Sequence, residues 1–166
     1  MLSKLPDWMR PKVITSNKKD LELENGSRVF AFSISATLAK ETTFDILLLD
    51  EFAFVPDEVA KDFWYGVAPV ISCIPNFKLI ITSTPKFSHK LKEIINEEGN
   101  PETIIVPTLF YKIWSDANFQ ANEFNPIRIY WHQHPDRDEK WKAEIIFNFG
   151  EESWKNEYEC QFIKVP

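Results

Sequence analysis

The stretch Asp45-Ile46-Leu47-Leu48-Leu49-Asp50-Glu51 constrains this chain more than any other. Its uninterrupted apolar run is too short for a typical helix and stops at two acids. Such a run, bounded by turn signals, predicts a strand buried on both faces of a parallel sheet. In open α/β sheets the ligand crevice lies at the carboxyl ends of the strands, so Asp50 and Glu51 stand where a ligand arrives. Neighbouring strand residues point to opposite sides, which gives the two carboxylates separate tasks. In nucleotide hydrolases of the P-loop class an Asp holds the waters of a magnesium ion, and a Glu beside it can orient the attacking water. The competing reading is that the two acids merely open the next turn.

A second apolar run, Phe77-Lys78-Leu79-Ile80-Ile81, ends in the hydroxyls Thr82-Ser83-Thr84 before Pro85. Between the two runs, Pro56-Asp57-Glu58 starts a helix with Asp57 as N-cap and acids at the positive end of its dipole. Val59, Phe63 and Val67 mark its buried face, and the helix is expected to fade at Pro69 or shortly after. Strand, helix and strand predict a right-handed βαβ unit. The Thr82-Ser83-Thr84 hydroxyls would then share the crevice with Glu51, placed to bond phosphate oxygens or the attacking water. Alone they would read as a turn before Pro85.

The rest of the chain supplies a frame for this unit. Residues 1–11, broken by Pro6 and Pro11, resemble the tail of a helix and a turn. Residues 13–16 and 20–23 are short extended runs, and Glu24-Asn25-Gly26-Ser27 has the signature of a tight hairpin turn, with 28–33 as the partner strand. Residues 33–43 read as a loop. Farther on, a charged helix is expected over 89–98, a short extended run over 103–106, and a helix over 108–119 with Leu109, Ile113 and Trp114 inward. A third strand is expected over 128–132, ended by His134-Pro135. Asp136-Arg137-Asp138-Glu139 resembles a capping box. It opens a helix with Trp141, Ile145 and Phe149 on one face, closed by Gly150, and a last helix follows with Trp154, Tyr158 and Phe162.

Composition narrows the function. A formal net charge of −6 argues against the whole domain being a basic sleeve around DNA. Cys73 and Cys160 form no metal-ligand spacing and read as free buried thiols in a reducing cytoplasm, with a disulfide between them as the alternative. No stretch has the apolar length of a membrane span. His132 and His134 alternate and could chelate a metal, but no third ligand is signposted. The aromatics Trp131, Trp141, Trp154 and Tyr158 could stack bases, although their helical spacing favours core packing. None of the four glycines precedes a lysine, so the chain lacks the Gly-x-x-x-x-Gly-Lys-Ser/Thr phosphate cradle.

Several segments, taken in order, resemble one family. They are Leu23-Glu24-Asn25-Gly26-Ser27, Leu47 through Pro56, Ile80 through Pro85, and Phe110-Tyr111-Lys112-Ile113-Trp114. Trp131-x-x-His134-Pro135-x-Arg137-Asp138-x-x-Trp141 and Glu157-Tyr158-Glu159-Cys160-x-Phe162 complete the set. Together they resemble the large terminase subunit of tailed bacteriophages, in its T4-like branch, the ATPase of the DNA-packaging motor.

That resemblance implies the C-terminal portion of a terminase ATPase domain over residues 1–166, on a P-loop NTPase-type parallel central sheet flanked by helices, with an N-terminal β-hairpin. It implies Asp50 as the Walker B acid holding Mg²⁺ through water, Glu51 as the catalytic carboxylate, and Thr82, Ser83 and Thr84 as the coupling motif that senses the γ-phosphate. ATP and Mg²⁺ would be its cofactors in the complete motor. Portal protein, small terminase subunit, double-stranded DNA and a P-loop-bearing part on the same or another chain would be its partners, and the host cytoplasm its location. The family's Walker A would lie upstream and its nuclease domain downstream.

Two departures qualify this. The family's Arg-Gly before the acid strand is replaced by Ala39-Lys40-Glu41, leaving Lys40 as a phosphate or trans contact. The Asn-Gly after the hydroxyls is replaced by Lys86-Phe87, and 86–109 reads as an insertion. An inactive terminase remnant acting as an interaction protein, or half of a helicase-type ATPase, are the alternatives.

Overall fold

Asn25 and Gly26 reverse the chain as their sequence predicts, with Gly26 at φ 80° and the Leu23 N–H donating to Ser27 O across the turn (2.9 Å). The computed structural model describes residues 4–34 and 44–164, and the chain divides into two compact units, Met1–Ile34 and Ser35–Pro166. In the first unit, a 3₁₀ turn at Asp7–Met9 precedes β1 (Val13–Ser16), β2 (Asp20–Leu23) and β3 (Arg28–Phe30). These form an antiparallel sheet in that order, so the expected hairpin carries a further strand on the outer edge of β2. The partner strand is shorter than expected and ends at Phe30. Arg28 grips Asp20 with two parallel bonds, Nε to Oδ1 at 2.9 Å and Nη2 to Oδ2 at 2.6 Å, which fixes the register of β2 against β3.

The second unit opens with β4 (Ile46–Leu49), α1 (Asp57–Ser72) and β5 (Lys78–Ile81). The two strands pair in parallel, Ile46 opposite Lys78 through Leu49 opposite Ile81, as the strand–helix–strand pattern requires. Leu47 and Leu49 are buried. The expectation of burial on both faces fails, however. Ile46, Leu48 and Ile80 lie on the other face with 58, 57 and 48% of their surface exposed, and no described element covers them.

Helix α1 differs from its sequence reading in two respects, its buried face and its N-cap. Its buried face is Ala60, Phe63 and Val67, while Val59 is exposed, because the stripe is set by spacings of three and four from Phe63. The helix ends shortly after Pro69, at Ser72, as expected. A proline there loses one backbone bond of the last turn, and Ser72 Oγ donates to Pro69 O at 2.8 Å. The N-cap is Pro56, and Asp57 is the first helical residue. Its carboxylate turns away to cap a different helix.

The expected helix over 89–98 is a strand. β6 (His89–Ile95) pairs antiparallel with β7 (Pro101–Pro107), His89 opposite Pro107 through Ile95 opposite Pro101. Leu91, Ile94 and Ile95 have helix-compatible spacing, but the β-branched run Thr103-Ile104-Ile105-Val106 offers a pairing partner that overrides it. Asn96 makes the turn, its Oδ1 accepting from the Glu98 and Asn100 amides at 3.1 and 2.9 Å.

Helix α2 (Leu109–Asn118) follows with Leu109 and Ala117 buried, whereas Ile113 and Trp114 are half-buried. The expected strand at 128–132 is not formed. Residues 125–130 join no ladder and have no regular structure, and Trp131–Gln133 is a 3₁₀ turn closed by the Tyr130 N–H on Gln133 Oε1 (2.6 Å). A strand needs a neighbour, and none lies beside this segment among the described residues.

Asp138, not Asp136, caps α3 (Glu139–Phe149), accepting from the Trp141 amide at 2.8 Å. Gly150, at φ 86°, ends it as expected. Phe149 is 65% exposed, so the expected face does not reach the last turn. Helix α4 (Glu151–Glu157) stops before Tyr158, and Phe162 lies beyond it. Trp131, Trp141, Trp154 and Tyr158 pack ring to ring, with Trp154 5.2 Å from Trp131 and 5.8 Å from Trp141. Trp131 and Trp154 are buried, so these aromatics form core. The architecture is mixed α/β, with three small sheets among the described residues, one of them the parallel pair.

Candidate functional site

The acids sit where the parallel pair ends. Because β4 and β5 run in register, Asp50 and Glu51 follow one strand directly and Thr82 and Ser83 follow the other. Thr82 N–H donates to Leu49 O at 2.9 Å, and Phe52 N–H returns the contact to Thr82 O at 3.2 Å. These two bonds extend the ladder past both strands and bring the side chains together. Thr82 Oγ1 donates to Asp50 Oδ1 at 2.6 Å, a distance typical of a strong hydroxyl–carboxylate bond. Ser83 Oγ lies 3.4 Å from Glu51 Oε2 and accepts from the Ala53 N–H at 3.1 Å. The expectation that hydroxyls and carboxylates share one crevice holds for Thr82 and Ser83.

Glu51 has φ 52° and ψ 39°, the left-handed region that residues with a Cβ seldom occupy. The turn Phe52–Phe54 follows at once, with Phe52 buried at 1% exposure. Anchoring Phe52 beneath the sheet obliges the preceding residue to bend sharply. The bend lifts the Glu51 carboxylate to the surface, where it is exposed.

Both acids and Thr82, Ser83 and Thr84 line an open cleft of about 690 Å³. Its far side is formed by α2 and the irregular segment after it. The wall includes Arg128, a residue that the sequence reading passed over as part of a strand. Its guanidinium carbon lies 5.3 Å from the centre of the Trp114 ring and 5.9 Å from that of Tyr130. Also in the wall, the Cys160 thiol is pushed up by burial and by Glu157, against the opposing charge of Arg128. It is therefore not a primed nucleophile.

The loop carrying the hydroxyls is held from the C-terminal side. Asn156, buried at 8% exposure, donates through Nδ2 to Pro85 O at 2.7 Å and to Gln161 O at 2.9 Å. Ile163 N–H donates to Lys86 O and Ser88 N–H to Ile163 O, at 2.8 and 3.0 Å. Asn156 was also missed; a single buried Asn has no sequence signature, and only the fold shows which carbonyls it meets.

The helix-cap residue Asp57 is a junction. Its Oδ1 accepts from the Leu109 N–H at 2.7 Å, and its Oδ2 lies 2.8 Å from Lys61 Nζ and 2.7 Å from Lys90 Nζ. Lys90 also pairs with Glu58. Burial pushes the Asp57 carboxyl up, but the lysines and the Leu109 amide outweigh it and hold it below the usual carboxylate range. One side chain thus ties α1, α2 and β6 around the site.

The family model described as terminase large subunit, T4likevirus-type, N-terminal, matches residues 1–166. The chain belongs to that family. Membership gives this terminase chain a role in phage DNA packaging, a task in which large subunits in general work with portal, small subunit and DNA, using ATP and Mg²⁺. Lys40 and its neighbours lie outside the described residues. His132 and His134 are not joined by other ligands: among the described residues no group of three or more His, Cys, Asp or Glu side chains converges. No described helix of the terminase chain is long and apolar enough to cross a membrane.

Proposed function

We propose that this terminase chain carries the Walker B acid pair and the coupling motif of the packaging ATPase, on part of a P-loop-type parallel sheet. One observation carries the reading: two carboxylates end one parallel strand and meet two hydroxyls ending its neighbour, at the mouth of a cleft. Asp50 is the metal-side acid. Its carboxylate is exposed, and with Thr82 it forms a hard, all-oxygen donor set of the kind that Mg²⁺ takes while keeping several waters. When bound, the ion would neutralise charge on the phosphates. Glu51 accepts hydrogen bonds from the attacking water and aligns it. Ser83 has one proton, given either to Glu51 or to a ligand oxygen, which lets the coupling motif report an arriving phosphate to the catalytic acid.

Phosphoryl transfer depends on positioning and charge stabilisation, and this sequence contains no phosphate cradle. The test therefore supplies one. The chain alone should show neither tight ATP binding nor hydrolysis. Mixed with a polypeptide bearing the P-loop and its strand, it should release phosphate with Mg²⁺. Glu51→Gln should lower turnover about 10²- to 10⁴-fold, in the range for losing a general base, with nucleotide still bound. Asp50→Asn should weaken metal and nucleotide binding together. Full activity in the Glu51→Gln pair overturns the assignment.

A further inference from the structure

The hairpin β6–β7 lies in the stretch read as an insertion, and the acid pair makes no use of it. Among the described residues it is a ribbon of two strands, and such a ribbon is marginal in water until something further covers it. Its backbone shows which side is open. Thr108 N–H donates to Ser88 O at 3.0 Å, and Asn96 N–H to Asn100 O at 2.9 Å. The register between these two bonds is unbroken. Antiparallel pairs alternate between bonded and non-bonded, so the even-numbered residues spend their backbone groups on the ladder. The odd-numbered ones turn theirs outward.

The two outer edges are not alike. β7 turns out Pro101, Thr103, Ile105 and Pro107, so a residue without an N–H stands at each end. Prolines on an edge blunt it against further pairing. β6 turns out His89, Leu91, Glu93 and Ile95, each with an N–H, and among the described residues no strand takes them. Ile163 pairs only with the base, its N–H donating to Lys86 O and its O accepting from the Ser88 N–H. At Ser88 the chain bends, with its N–H on Ile163 and its C=O on Thr108. That ladder therefore stops where the open edge begins.

The side chains along this edge define what it takes. Leu91, Glu93 and Ile95 share one face, with Ile105 opposite Leu91 and Thr103 opposite Glu93. Leu91, Ile95 and Ile105 are 57, 70 and 63% exposed. Lys90 and Lys92 lie on the other face, Lys90 held by Asp57 and Glu58. The open face thus sets an acid between two apolar side chains, and the turn beyond adds Glu97 and Glu98. A second copy fits badly. Two β6 edges meeting antiparallel about a twofold axis oppose Glu93 to Glu93, Lys92 to Lys92 or Lys90 to Lys92 in every extensive register, and like charges directly opposite destabilise a pair.

We infer that the outer edge of β6 is a docking site for an extended segment of a partner protein, one carrying a lysine or arginine between apolar residues at alternate positions. The segment adds a third strand to the ribbon. Its main chain bonds the N–H and C=O groups of Leu91 and Glu93, which supplies affinity, and its side chains supply specificity. The basic residue faces Glu93, and the apolar ones cover Leu91 and Ile95. Lys90 and Asp57 fasten the ribbon to α1 and α2, so the partner is held on a fixed platform.

The test uses the full chain and the synthetic peptide Thr-Thr-Val-Thr-Lys-Thr-Val-Thr-Thr, with a second peptide in which Glu replaces the Lys. Amide exchange at Leu91 and Glu93 should be fast in the chain alone and at least tenfold slower with the lysine peptide. Lys92 and Ile94, on the ladder, should be protected throughout, and Thr103 and Ile105, on the far edge, should stay fast. Glu93→Lys changes an exposed residue, so the melting midpoint should hold. It should weaken binding of the lysine peptide roughly tenfold and let the glutamate peptide bind instead, since opposite charges across a pair attract and like charges repel. No binding of the lysine peptide, binding indifferent to the charge at Glu93, or protection of Thr103 and Ile105 in place of Leu91 and Glu93 overturns the site. Slow exchange at Leu91 and Glu93 in the chain alone overturns it too. If that protection rises with concentration, the edge belongs to a second copy; if it does not, the chain covers its own edge.

Discussion

Replacing Asp57 with Ala should destabilise this chain more than any other single change at an acid. The carboxylate makes one helix-capping bond to the Leu109 N–H and two ion pairs, to Lys61 and Lys90, with its side chain 13% exposed. Losing a cap costs about 1 kcal/mol, and a hydrogen bond to a charged group contributes about 1.5–3 kcal/mol. These overlap, and Lys90 keeps Glu58, so the expected loss is about 2–3 kcal/mol. In urea, with a slope of about 2 kcal/mol/M, the midpoint should fall by about 1–1.5 M with the slope unchanged. Asp57→Asn keeps an acceptor for Leu109 and should lose about half as much. The pH dependence follows from the depressed carboxyl. Its contribution is full above the unfolded value of about 3.9 and is lost as pH falls through the lower folded value. Wild type and Asp57→Ala should therefore differ at pH 7 and converge in acid. A loss under 0.5 kcal/mol at pH 7, or a difference that persists at pH 2, refutes the junction.

Asn156→Leu should cost about 2 kcal/mol in chemical denaturation, because it leaves the carbonyls of Pro85 and Gln161 without a donor in a buried place. Glu51→Gly should leave the melting point unchanged or raise stability by up to about 1 kcal/mol, since only glycine accepts φ 52° without cost; Glu51→Val should lower it. Duplex DNA should bind the isolated chain weakly and in a salt-sensitive manner, given the net charge of −6 and the dominance of phosphate neutralisation. A fluorescence anisotropy titration at physiological salt would expose the opposite.

The central unit was legible because its signals are local. Leu47 to Leu49 and Leu79 to Ile81 are apolar runs bounded by acids or hydroxyls, with a helical stripe between them, and that order leaves parallel pairing as the natural outcome. The Asn25-Gly26 turn was local in the same sense, whereas the capping box placed the cap at Asp136 and the helix takes Asp138. What failed depended on partners distant in sequence. Residues 89–95 carry a spacing that suits a helix, and only the run 103–106 makes them a strand. Residues 128–132 have strand composition but no described neighbour, and Asp57 left its own helix for Leu109, 52 residues away. The acids and hydroxyls were found because a strand end announces them, whereas Arg128 and Asn156 acquire meaning only from what folds against them.

The bonds that hold the loop after Pro85 come from residues 71 and 75 positions later, Asn156 and Ile163. During synthesis the parallel pair, its helix and the hairpin can all form before those residues exist. The loop cannot be fixed until Asn156 and Ile163 have been made, because closing so long an interval waits on its far end. The hydroxyl-bearing strand end thus matures last, after its scaffold. A nascent chain would hold Asp50 and Glu51 in place while their partners Thr82 and Ser83 still lack their anchor. Chains halted before Asn156 should be compact yet unable to keep the two strand ends in register. Folding order itself would then keep unfinished copies of this terminase chain from holding acids and hydroxyls together.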